Sequence, residues 1–262
     1  MPAPPTTPRA AEADHATKGL VRLTMACNEV CGFCNVPVED YDRPTPPFEQ
    51  VLAQLDALVA SGARTLTVSG GEPTLLRRRL LDLVRRARAG GIPFVELQTN
   101  AVLVDAAYAG ELADAGLTSA FVSLLAPTAP DHEALTGLEG SFEDCLGGID
   151  ALLDAGVRVA LNPVFARRTQ DQVAAYVDFV AARLPRVDSI SLSAVQPHGR
   201  AARQGELLPD YDRLGAAVRL ALGRARLHGI RVLNPYCGLP LCVGWDGDQE
   251  RSVEAIEAQL GE

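Results

Sequence analysis

Three cysteines lie within eight positions in the stretch CNEVCGFCNV, where Cys27, Cys31 and Cys34 have the spacing C-x3-C-x2-C. Thiolates are ligands of both structural zinc sites and iron–sulfur clusters. A structural zinc site requires four closed ligands, and only the distant His198 and His228 could complete one. Bacterial ferredoxins use C-x2-C-x2-C, which the three-residue gap breaks. The spacing therefore favours a 4Fe–4S cluster in which one iron lacks a protein ligand and can bind a substrate or cofactor.

A glycine-rich turn, SGGEPTL, is the next stretch whose residues could do chemistry. Because they have no Cβ, Gly70 and Gly71 allow the backbone to approach a ligand closely, and Glu72 adds a charge beside them. An ordinary strand-to-helix turn, with Pro73 at the helix start, explains the same residues. Taken alone, the turn favours this second interpretation, whereas beside the three cysteines it favours a ligand site.

The composition of the chain restricts its class. With 262 residues and 47% hydrophobic content, it can form one large α/β domain or two small ones. The net charge of −9 argues against nucleic-acid partners, which need a basic surface. No apolar run approaches the roughly 18 residues that cross a bilayer, so we expect no membrane contact. Residues 1–18 carry no secretory signal and predict a disordered leader, and we expect a cytoplasmic protein whose reduced cysteines bind metal.

Hydrophobic strands alternate with helices along most of the chain. Such βαβ units predict a parallel sheet, and about six or seven of them predict a full or partial β/α barrel, with a doubly wound open sheet as the alternative. The predicted strands are 20–26, 65–70, 94–100, 119–125, 157–165, 189–195 and 230–234. The predicted helices are one from Pro47 to Gly62 and those at 75–89, 105–115, 142–155, 171–183 and 210–227.

Polar residues and cysteines fall at or near the carboxyl ends of these strands. In a β/α barrel this end of the strands carries the chemistry. Cys27 follows the first strand and the glycine-rich turn follows the second, so one face of the barrel is expected to gather them. The same face would receive polar residues from later strands, namely Asn100, Ser123, Asn162, Arg200 and Asn234.

The cysteine motif, with Phe33 before its last cysteine, and the Gly-Gly-Glu-Pro stretch after the second strand together resemble the radical SAM superfamily over about residues 20–205. The resemblance implies a partial (β/α)6 TIM-like barrel with a short C-terminal extension. It also implies that Cys27, Cys31 and Cys34 hold a 4Fe–4S cluster, whose fourth iron is chelated by the amino and carboxylate groups of S-adenosylmethionine (SAM). One electron into the cluster then cleaves SAM, and the resulting 5′-deoxyadenosyl radical abstracts hydrogen from a substrate.

The resemblance further implies which residues contact SAM. In the family, the stretch that matches the Gly-Gly-Glu-Pro turn contacts the SAM amino group, and strand-end polar residues contact its ribose or carboxylate. Capping or a strand-end hydrogen bond explains the strand-end residues equally well. Arg200, in a Pro-x-Gly-Arg-Ala element, is expected to pair with a carboxylate of SAM or substrate. The cofactor-binding residues so predicted are Phe33, Gly70, Gly71, Glu72, Pro73, Asn100, Ser123, Asn162 and Arg200.

Two more cysteines, Cys237 and Cys242, follow the last predicted strand with the spacing C-x4-C. Members of the superfamily carry auxiliary clusters in C-terminal extensions, but two cysteines alone cannot hold a second 4Fe–4S cluster. Inert packing, a hydrogen-atom donor or substrate contact, and partial ligation of a second metal site all remain open for the pair. Cys145 lies among apolar residues of a predicted helix and is expected to be a small buried hydrophobe.

These observations predict a leader (1–18), a radical SAM partial barrel (19–235) and a short Cys-containing, acidic C-terminal extension (236–262) with a short helix near its end. We expect an enzyme that acts on a peptide or a small-molecule natural product and that takes its electron from a flavodoxin- or ferredoxin-type partner. The alternative is a non-enzymatic iron–sulfur or zinc-binding α/β protein, that is, an electron carrier or a binding module.

Overall fold

The structure is a computed structural model that describes residues 18–235 and 238–260. Two predictions fall partly outside these ranges. Only Lys18 of the predicted leader is described, and Cys237 of the second cysteine pair lies outside the described residues. Within the described ranges, no helix combines the length and the apolar character that a membrane crossing requires.

Nine strands are described. In chain order they are β1 (Lys18–Thr24), β2 (Thr65–Gly70), β3 (Phe94–Thr99), β4 (Ser119–Val122), β5 (Arg158–Leu161), β6 (Val164–Phe165), β7 (Ser189–Ser191), β8 (Ser193–Ala194) and β9 (Val232–Leu233). Seven of them form a parallel sheet in the order β1-β2-β3-β4-β5-β7-β9, and β6 pairs with β8 beside it. Because no ladder joins β1 to β9 in the described part of the chain, the barrel is partial.

Eight α-helices surround the strands in the described ranges. They are α1 (Phe48–Ala60), α2 (Arg77–Ala89), α3 (Ala106–Ala115), α4 (Ala129–Thr136), α5 (Ser141–Asp154), α6 (Val173–Arg183), α7 (Tyr211–His228) and α8 (Val253–Leu260). Helices separate all neighbouring strands of the seven-stranded sheet along the chain. The predicted α/β fold with a partial barrel is therefore confirmed.

The side chains of each strand alternate between the helices and the inside of the barrel. In β1, Val21 and Leu23 are fully buried in the core, whereas Leu20 and Arg22 line the cavity inside the sheet. The same alternation places Leu97 of β3 in the core and Gln98 in the cavity. Since successive residues of a strand point to opposite faces, the hydrophobic core lies between sheet and helices, and a more polar lumen remains inside.

Two predicted strands are each divided in the structure. The predicted strand 157–165 becomes β5 and β6, because Pro163 has no N–H to continue the ladder. The predicted strand 189–195 becomes β7 and β8 where its hydrogen bonds change neighbour: Leu192 N donates to Leu233 O, and Ser193 N donates to Pro163 O. The connection after β4, in which His132 and Glu133 fit a helix start but no helix bounds were predicted, contains α4.

The C-terminal part packs against both edges of the partial barrel. The predicted short helix is α8, which follows a bridge between Asn234 and Ser252 beside β9. Val253 N donates to Asn234 O at 3.0 Å. An ion pair between Glu257 of α8 and Lys18 of β1 reaches the other edge. The helix therefore packs on the body of the protein at the gap between the first and last strands.

Candidate functional site

A cavity of about 410 Å³ opens at the carboxyl ends of the strands. It is lined by residues from the loop after β1, from the ends of β2 to β5 and from the loop after β8. The structure brings most of the predicted site residues to this one cavity, as the topology required. They are Cys27, Cys31, Phe33, Cys34, Gly70, Gly71, Glu72, Asn100, Ser123, Asn162 and Arg200.

The three cysteines lie on an irregular loop, residues 25–36, which we call the cysteine loop. A shift of register in β1 between Arg22 and Thr24 precedes it. Val30 N donates to Thr136 O of α4 at 2.8 Å, and Cys34 N donates to Cys31 O at 3.2 Å. The loop is therefore anchored to a helix more than a hundred residues further along the chain.

Burial raises the pKa of each of the three thiols. It raises the pKa of Cys27 to about 12, raises that of Cys31 well above its usual range, and raises that of Cys34 although the Arg200 charge opposes the change. Among the described residues, no three His, Cys, Asp or Glu side chains surround the position of a single ion. In a 4Fe–4S cluster each thiolate binds a different iron, so the donors need to face a shared volume, as these three do.

The Gly70–Gly71 turn fits closely against the backbone that leads into the cysteine loop. Gly70 has a φ of 138°, and a Cβ at either glycine would collide with carbonyl oxygens of Thr24 or Ala26. Gly71 N donates to Thr24 O at 2.7 Å, and Glu72 N donates to Ala26 O at 2.8 Å. The turn needs glycine for this contact with the chain's own backbone, whichever ligand it also meets.

Glu72 is buried, and both of its carboxyl oxygens have partners. One oxygen accepts hydrogen bonds from Thr74 N (2.9 Å), Thr74 Oγ1 (2.6 Å) and Thr99 Oγ1 (2.8 Å), and the other accepts from Asn100 N (2.7 Å). Burial raises the pKa of Glu72, and these donors oppose that change. Pro73 begins a short 3-10 turn and is buried without lining the cavity. The carboxyl group thus joins the turn after β2 to the end of β3.

The predicted strand-end residues differ in the hydrogen bonds that they form within the chain. Asn100 donates from Nδ2 to Asn28 Oδ1 at 2.9 Å, which links β3 to the cysteine loop. Asn162 Oδ1 accepts from Ser193 Oγ at 2.9 Å. Ser123 is positioned by its backbone N–H, which donates to Thr99 O at 3.0 Å. All three side chains remain on the wall of the cavity.

Arg200 holds the cysteine loop from the opposite side of the cavity. Its Nε and Nη2 form a bidentate ion pair with Glu39, with both distances 2.6 Å, and its Nη1 donates to Cys31 O at 3.0 Å. Its backbone N–H donates to Cys34 O, also at 3.0 Å. Three of the five N–H hydrogens of the guanidinium therefore have partners within the chain. Its predicted pairing with a carboxylate of SAM or substrate stays a prediction.

Glu29 lies in the cavity wall, although the sequence predicted no role for it. The residue is 8% exposed, its Oε2 accepts from Cys31 Sγ at 3.4 Å, and its Oε1 has no hydrogen-bond partner among the described residues. Burial raises the pKa of Glu29 to about 7. The nearby Asn100 amide, which also donates to Asn28, opposes this rise. A charged residue between two cysteines was the one signal that could have drawn attention to it.

The second cysteine pair is described only at Cys242, which is exposed. The neighbouring Trp245 is fully buried and packs in the main core, as expected of a packing residue. Cys145 is fully buried in α5, which confirms its prediction as a small hydrophobe. Neither Cys145 nor Cys242 lines the cavity.

Comparison with known proteins gives one family match. The sequence model described as "Radical SAM superfamily" matches residues 21–196. A "Probable GTP 3',8-cyclase" of Metallosphaera sedula is 31% identical over 182 residues, which cover 68% of this chain and 56% of that protein. A "PqqA peptide cyclase" of Rhizobium meliloti is 29% identical over 221 residues, which cover 82% of this chain and 57% of that protein.

Among solved structures, the fold is similar to that of Streptococcus suis SuiB. The structure of SuiB bound to its precursor peptide SuiA has a TM-score of 0.69 at 18% identity, covering 88% of this chain and 51% of that one. SuiB bound to S-adenosylmethionine gives a TM-score of 0.67, also at 18% identity, covering 82% and 49%. The chain spans about half the length of the curated relatives that it matches.

Proposed function

The chain belongs to the radical SAM superfamily, enzymes that use a 4Fe–4S cluster and SAM, and on this premise we propose that Cys27, Cys31 and Cys34 hold that cluster. One observation supports the proposal most strongly. The three thiols, the turn after β2 and the strand-end residues line one cavity at the carboxyl ends of the strands. The alternative of a non-enzymatic zinc or iron–sulfur protein is not retained, because the family match covers two thirds of the chain.

The residues present fit the two cofactors. Thiols are the soft ligands that an iron–sulfur cluster requires, and three of them leave one iron open. Within the described residues, Glu29 on the cavity wall has a buried acceptor without a partner, its Oε1. Buried polar atoms of this kind are normally satisfied, so this oxygen indicates that a polar ligand completes the site.

When bound, the cluster and SAM supply a one-electron cleavage that generates a 5′-deoxyadenosyl radical for hydrogen abstraction. The chain's part is to position and orient the cofactors and the substrate and to exclude water from the cavity. The turn after β2, which Glu72 connects to Asn100, forms part of the cavity wall. Arg200 holds the cysteine loop in place on another side of the cavity. Phe33 lies partly buried against a second apolar cluster around Leu125 and shields this side from solvent.

For the substrate, we propose a peptide or a small-molecule natural product. The lumen wall carries Arg22, Ser69 and Gln98, and the last two are hydrogen-bonded at 2.6 Å. A second cavity of about 330 Å³ shares Leu20, Arg22 and Met25 with the first, so the two adjoin at the open edge of β1. An extended space of this kind, lined by both apolar and polar side chains, suits a ligand longer than SAM alone. The names of a peptide cyclase and a precursor-peptide complex among the relatives support the same class.

For the electron, we propose a flavodoxin- or ferredoxin-type donor, since such proteins reach the low potentials at which 4Fe–4S clusters are reduced. The residues proposed to contact SAM are those predicted from the sequence: Phe33, Gly70, Gly71, Glu72, Pro73, Asn100, Ser123, Asn162 and Arg200. Cys237 and Cys242 remain candidates for a second site.

Anaerobic reconstitution tests the function. We expect about four irons and four sulfides per chain, as one cubane requires, and formation of 5′-deoxyadenosine when SAM and a strong reductant are added. Cys31→Ala should abolish this product, whereas Cys145→Ala, which changes a buried thiol that does not line the cavity, should retain it. Reconstituted protein that lacks 4Fe–4S absorbance, or that never cleaves SAM, would contradict the proposal. Iron well above four per chain would support Cys237 and Cys242 as partial ligands of a second metal site.

A further inference from the structure

Two arginine side chains line the second cavity, the space of about 330 Å³ beside β1. Arg22 belongs to β1, and Arg43 belongs to the segment that follows the cysteine loop. No aspartate or glutamate of the described residues lines this cavity, so two positive charges face a largely apolar wall. The remaining wall consists of Leu20, Met25, Tyr41, Pro46 and Gln54.

The backbone holds Arg43 close to the end of β1. Pro44 O accepts from Met25 N at 2.5 Å and from Thr24 Oγ1 at 3.3 Å. Pro44 directly follows Arg43, whereas Thr24 and Met25 lie two and three residues after Arg22. These hydrogen bonds therefore keep the two arginines on the same cavity, although one lies on a strand and the other on an irregular segment.

Neither guanidinium is paired within the part of the chain that the structure describes. Arg22 and Arg43 form no ion pair or side-chain hydrogen bond with another described residue. Most other arginines of the described ranges do form ion pairs, as Arg86 does with Asp56, and the net charge of −9 means that acidic groups are in excess. Two positive charges that face one cavity repel each other, and an anionic ligand would remove that repulsion.

The two cavities are continuous along the inner face of β1, where they share Leu20, Arg22 and Met25. A ligand that reacts beside the three cysteines can therefore extend along this strand to the pair of arginines. Arg200, the other arginine on the wall of the first cavity, is already paired with Glu39. The unpaired positive charge of this connected space therefore lies at the end formed by the second cavity.

A carboxylate fits this pair of arginines better than a chain of phosphates. Guanidinium groups bind carboxylates through two parallel hydrogen bonds. Phosphate chains are typically held by backbone N–H groups of glycine-rich loops and helix N-termini, whereas Leu20, Met25 and Pro46 surround the arginines here. We propose that the second cavity binds a carboxylate of a peptide substrate through Arg22 and Arg43, with apolar contacts to the carbon atoms beside it. This inference rests on the proposed function and specifies its substrate class.

Binding of short synthetic peptides to the anaerobic, cluster-loaded protein tests the inference without turnover when the cluster is kept oxidised and SAM is bound. N-acetyl-Leu-Glu-Leu amide has a side-chain carboxylate, N-acetyl-Leu-Gln-Leu has a terminal carboxylate, and N-acetyl-Leu-Gln-Leu amide has neither. In NMR titrations at low salt, we expect the wild type to bind at least one acidic peptide roughly fivefold more tightly than the neutral one. The peptide that is preferred identifies the source of the carboxylate. Arg22→Gln and Arg43→Gln should each remove the preference and leave the affinity for the neutral peptide unchanged.

A matched control variant and a fourth ligand keep the outcome decisive. Arg64, which directly precedes β2, is also exposed and without a side-chain partner among the described residues, but it lines neither cavity. Arg64→Gln should therefore keep the preference for the acidic peptide. No detectable binding of either acidic peptide, no preference over the neutral one, or an equal loss in all three variants would each overturn the inference.

GTP is the fourth ligand, and it tests the assignment to a carboxylate. Binding of GTP that is tighter than that of both acidic peptides, and that depends on Arg22 and Arg43 but not on Arg64, would assign the cavity to a phosphate-bearing ligand and overturn the inference. Failure of the wild-type protein to assemble a 4Fe–4S cluster or to cleave SAM would instead overturn the proposed function.

Discussion

At the scale of single residues, the site depends on polar groups whose partners lie within the chain. Glu72 accepts four hydrogen bonds and connects the turn after β2 to the end of β3. His132 is fully buried in α4, where its Nδ1 accepts from Leu125 N at 3.1 Å. Both side chains stabilise the structure around the cavity. Substitutions at these positions should therefore lower the free energy of unfolding.

The carboxylate of Glu72 should not tolerate replacement by an amide. Glu72→Gln places an NH₂ group against N–H and O–H donors, which leaves buried donors unpaired. We expect the free energy of unfolding in urea to fall by about 2–4 kcal/mol. Glu111→Gln, which removes an exposed ion pair with Arg77, is the control and should change it by less than about 1 kcal/mol. Equal effects of the two substitutions would contradict the structural role of Glu72.

His132 should make stability depend on pH. Burial lowers its pKa to about 4, whereas an unfolded histidine titrates near 6.5. Because the unfolded chain binds the proton more readily, this contribution is complete above pH 6.5 and is lost as the pH falls toward 4. Between pH 7.5 and 5 we expect the wild type to lose about 2 kcal/mol relative to His132→Asn, whose side-chain oxygen can still accept from Leu125 N. Parallel pH curves in urea denaturation would exclude this role.

At the scale of elements, contacts between loops position the site as much as the strands do. The turn after β2 packs against the backbone that follows β1, and the segment at Arg200 packs against the cysteine loop. Neither contact is local in sequence. The sequence predicted that these segments gather at one face, because the carboxyl ends of parallel strands meet there, but it did not predict the contacts between them.

Two glycine-to-alanine variants test the contact between the turn after β2 and the backbone that follows β1. At Gly71 a Cβ would collide with the carbonyl oxygens of Met25 and Ala26, so Gly71→Ala should displace the turn and lower the iron bound after reconstitution. At Gly110, inside α3, an added Cβ meets nothing within 4 Å. Gly110→Ala should therefore raise the free energy of unfolding by about 0.5–1 kcal/mol and leave the iron content unchanged. Equal iron content in both variants would contradict the tight fit of the turn.

The second contact predicts that Arg200 orders the cysteine loop before a cluster is present. Its guanidinium donates to Cys31 O and pairs with Glu39, and the backbone at Arg200 donates to Cys34 O. In cluster-free protein, Arg200→Gln should raise the rate at which iodoacetamide labels Cys31 and Cys34 by roughly tenfold, since the loop opens more often. Arg183→Gln, which breaks an ion pair with Asp150 between α6 and α5, is the control. Identical labelling rates would show that the loop does not depend on Arg200.

The elements themselves were predictable to different degrees. Strands with a clear alternation, such as β1 with Val21 and Leu23 in the core, were located from the sequence. The division of the later strands at Pro163 and Leu192 was not, because it depends on which neighbour each backbone group finds. The bounds of helix α4 were not predicted, because its eight residues, APDHEALT, show little segregation of apolar side chains.

At the scale of the whole molecule, the order of strands and helices in the partial barrel allowed some features of the site to be predicted and not others. It brings the cysteines and the strand-end residues to one cavity, so their grouping followed from the order of strands and helices. The burial of Glu29 could not be predicted in this way. It arises from the packing of the cysteine loop on α4, through Val30 and Thr136, and from the approach of β3 through Asn100.

The open edge between β1 and β9 and the adjoining second cavity are also properties of the assembled molecule. Leu20 and Arg22 line both cavities because they occupy the inward positions of an edge strand. Their alternation was visible in the sequence, but the gap that exposes them depends on where the sheet ends. Substrate specificity is therefore expected to reside in this region, which the cluster motif does not encode.

Binding of SAM at the open iron can be measured by magnetic resonance of the reduced, cluster-loaded protein with SAM labelled with ¹⁵N in its amino group. Because three cysteine ligands leave one iron open, we expect SAM to change the electron paramagnetic resonance spectrum and a ¹⁵N hyperfine coupling to appear. A 4Fe–4S spectrum that SAM leaves unchanged, with no coupling to the labelled nitrogen, would show that the fourth iron is not the site of cofactor binding.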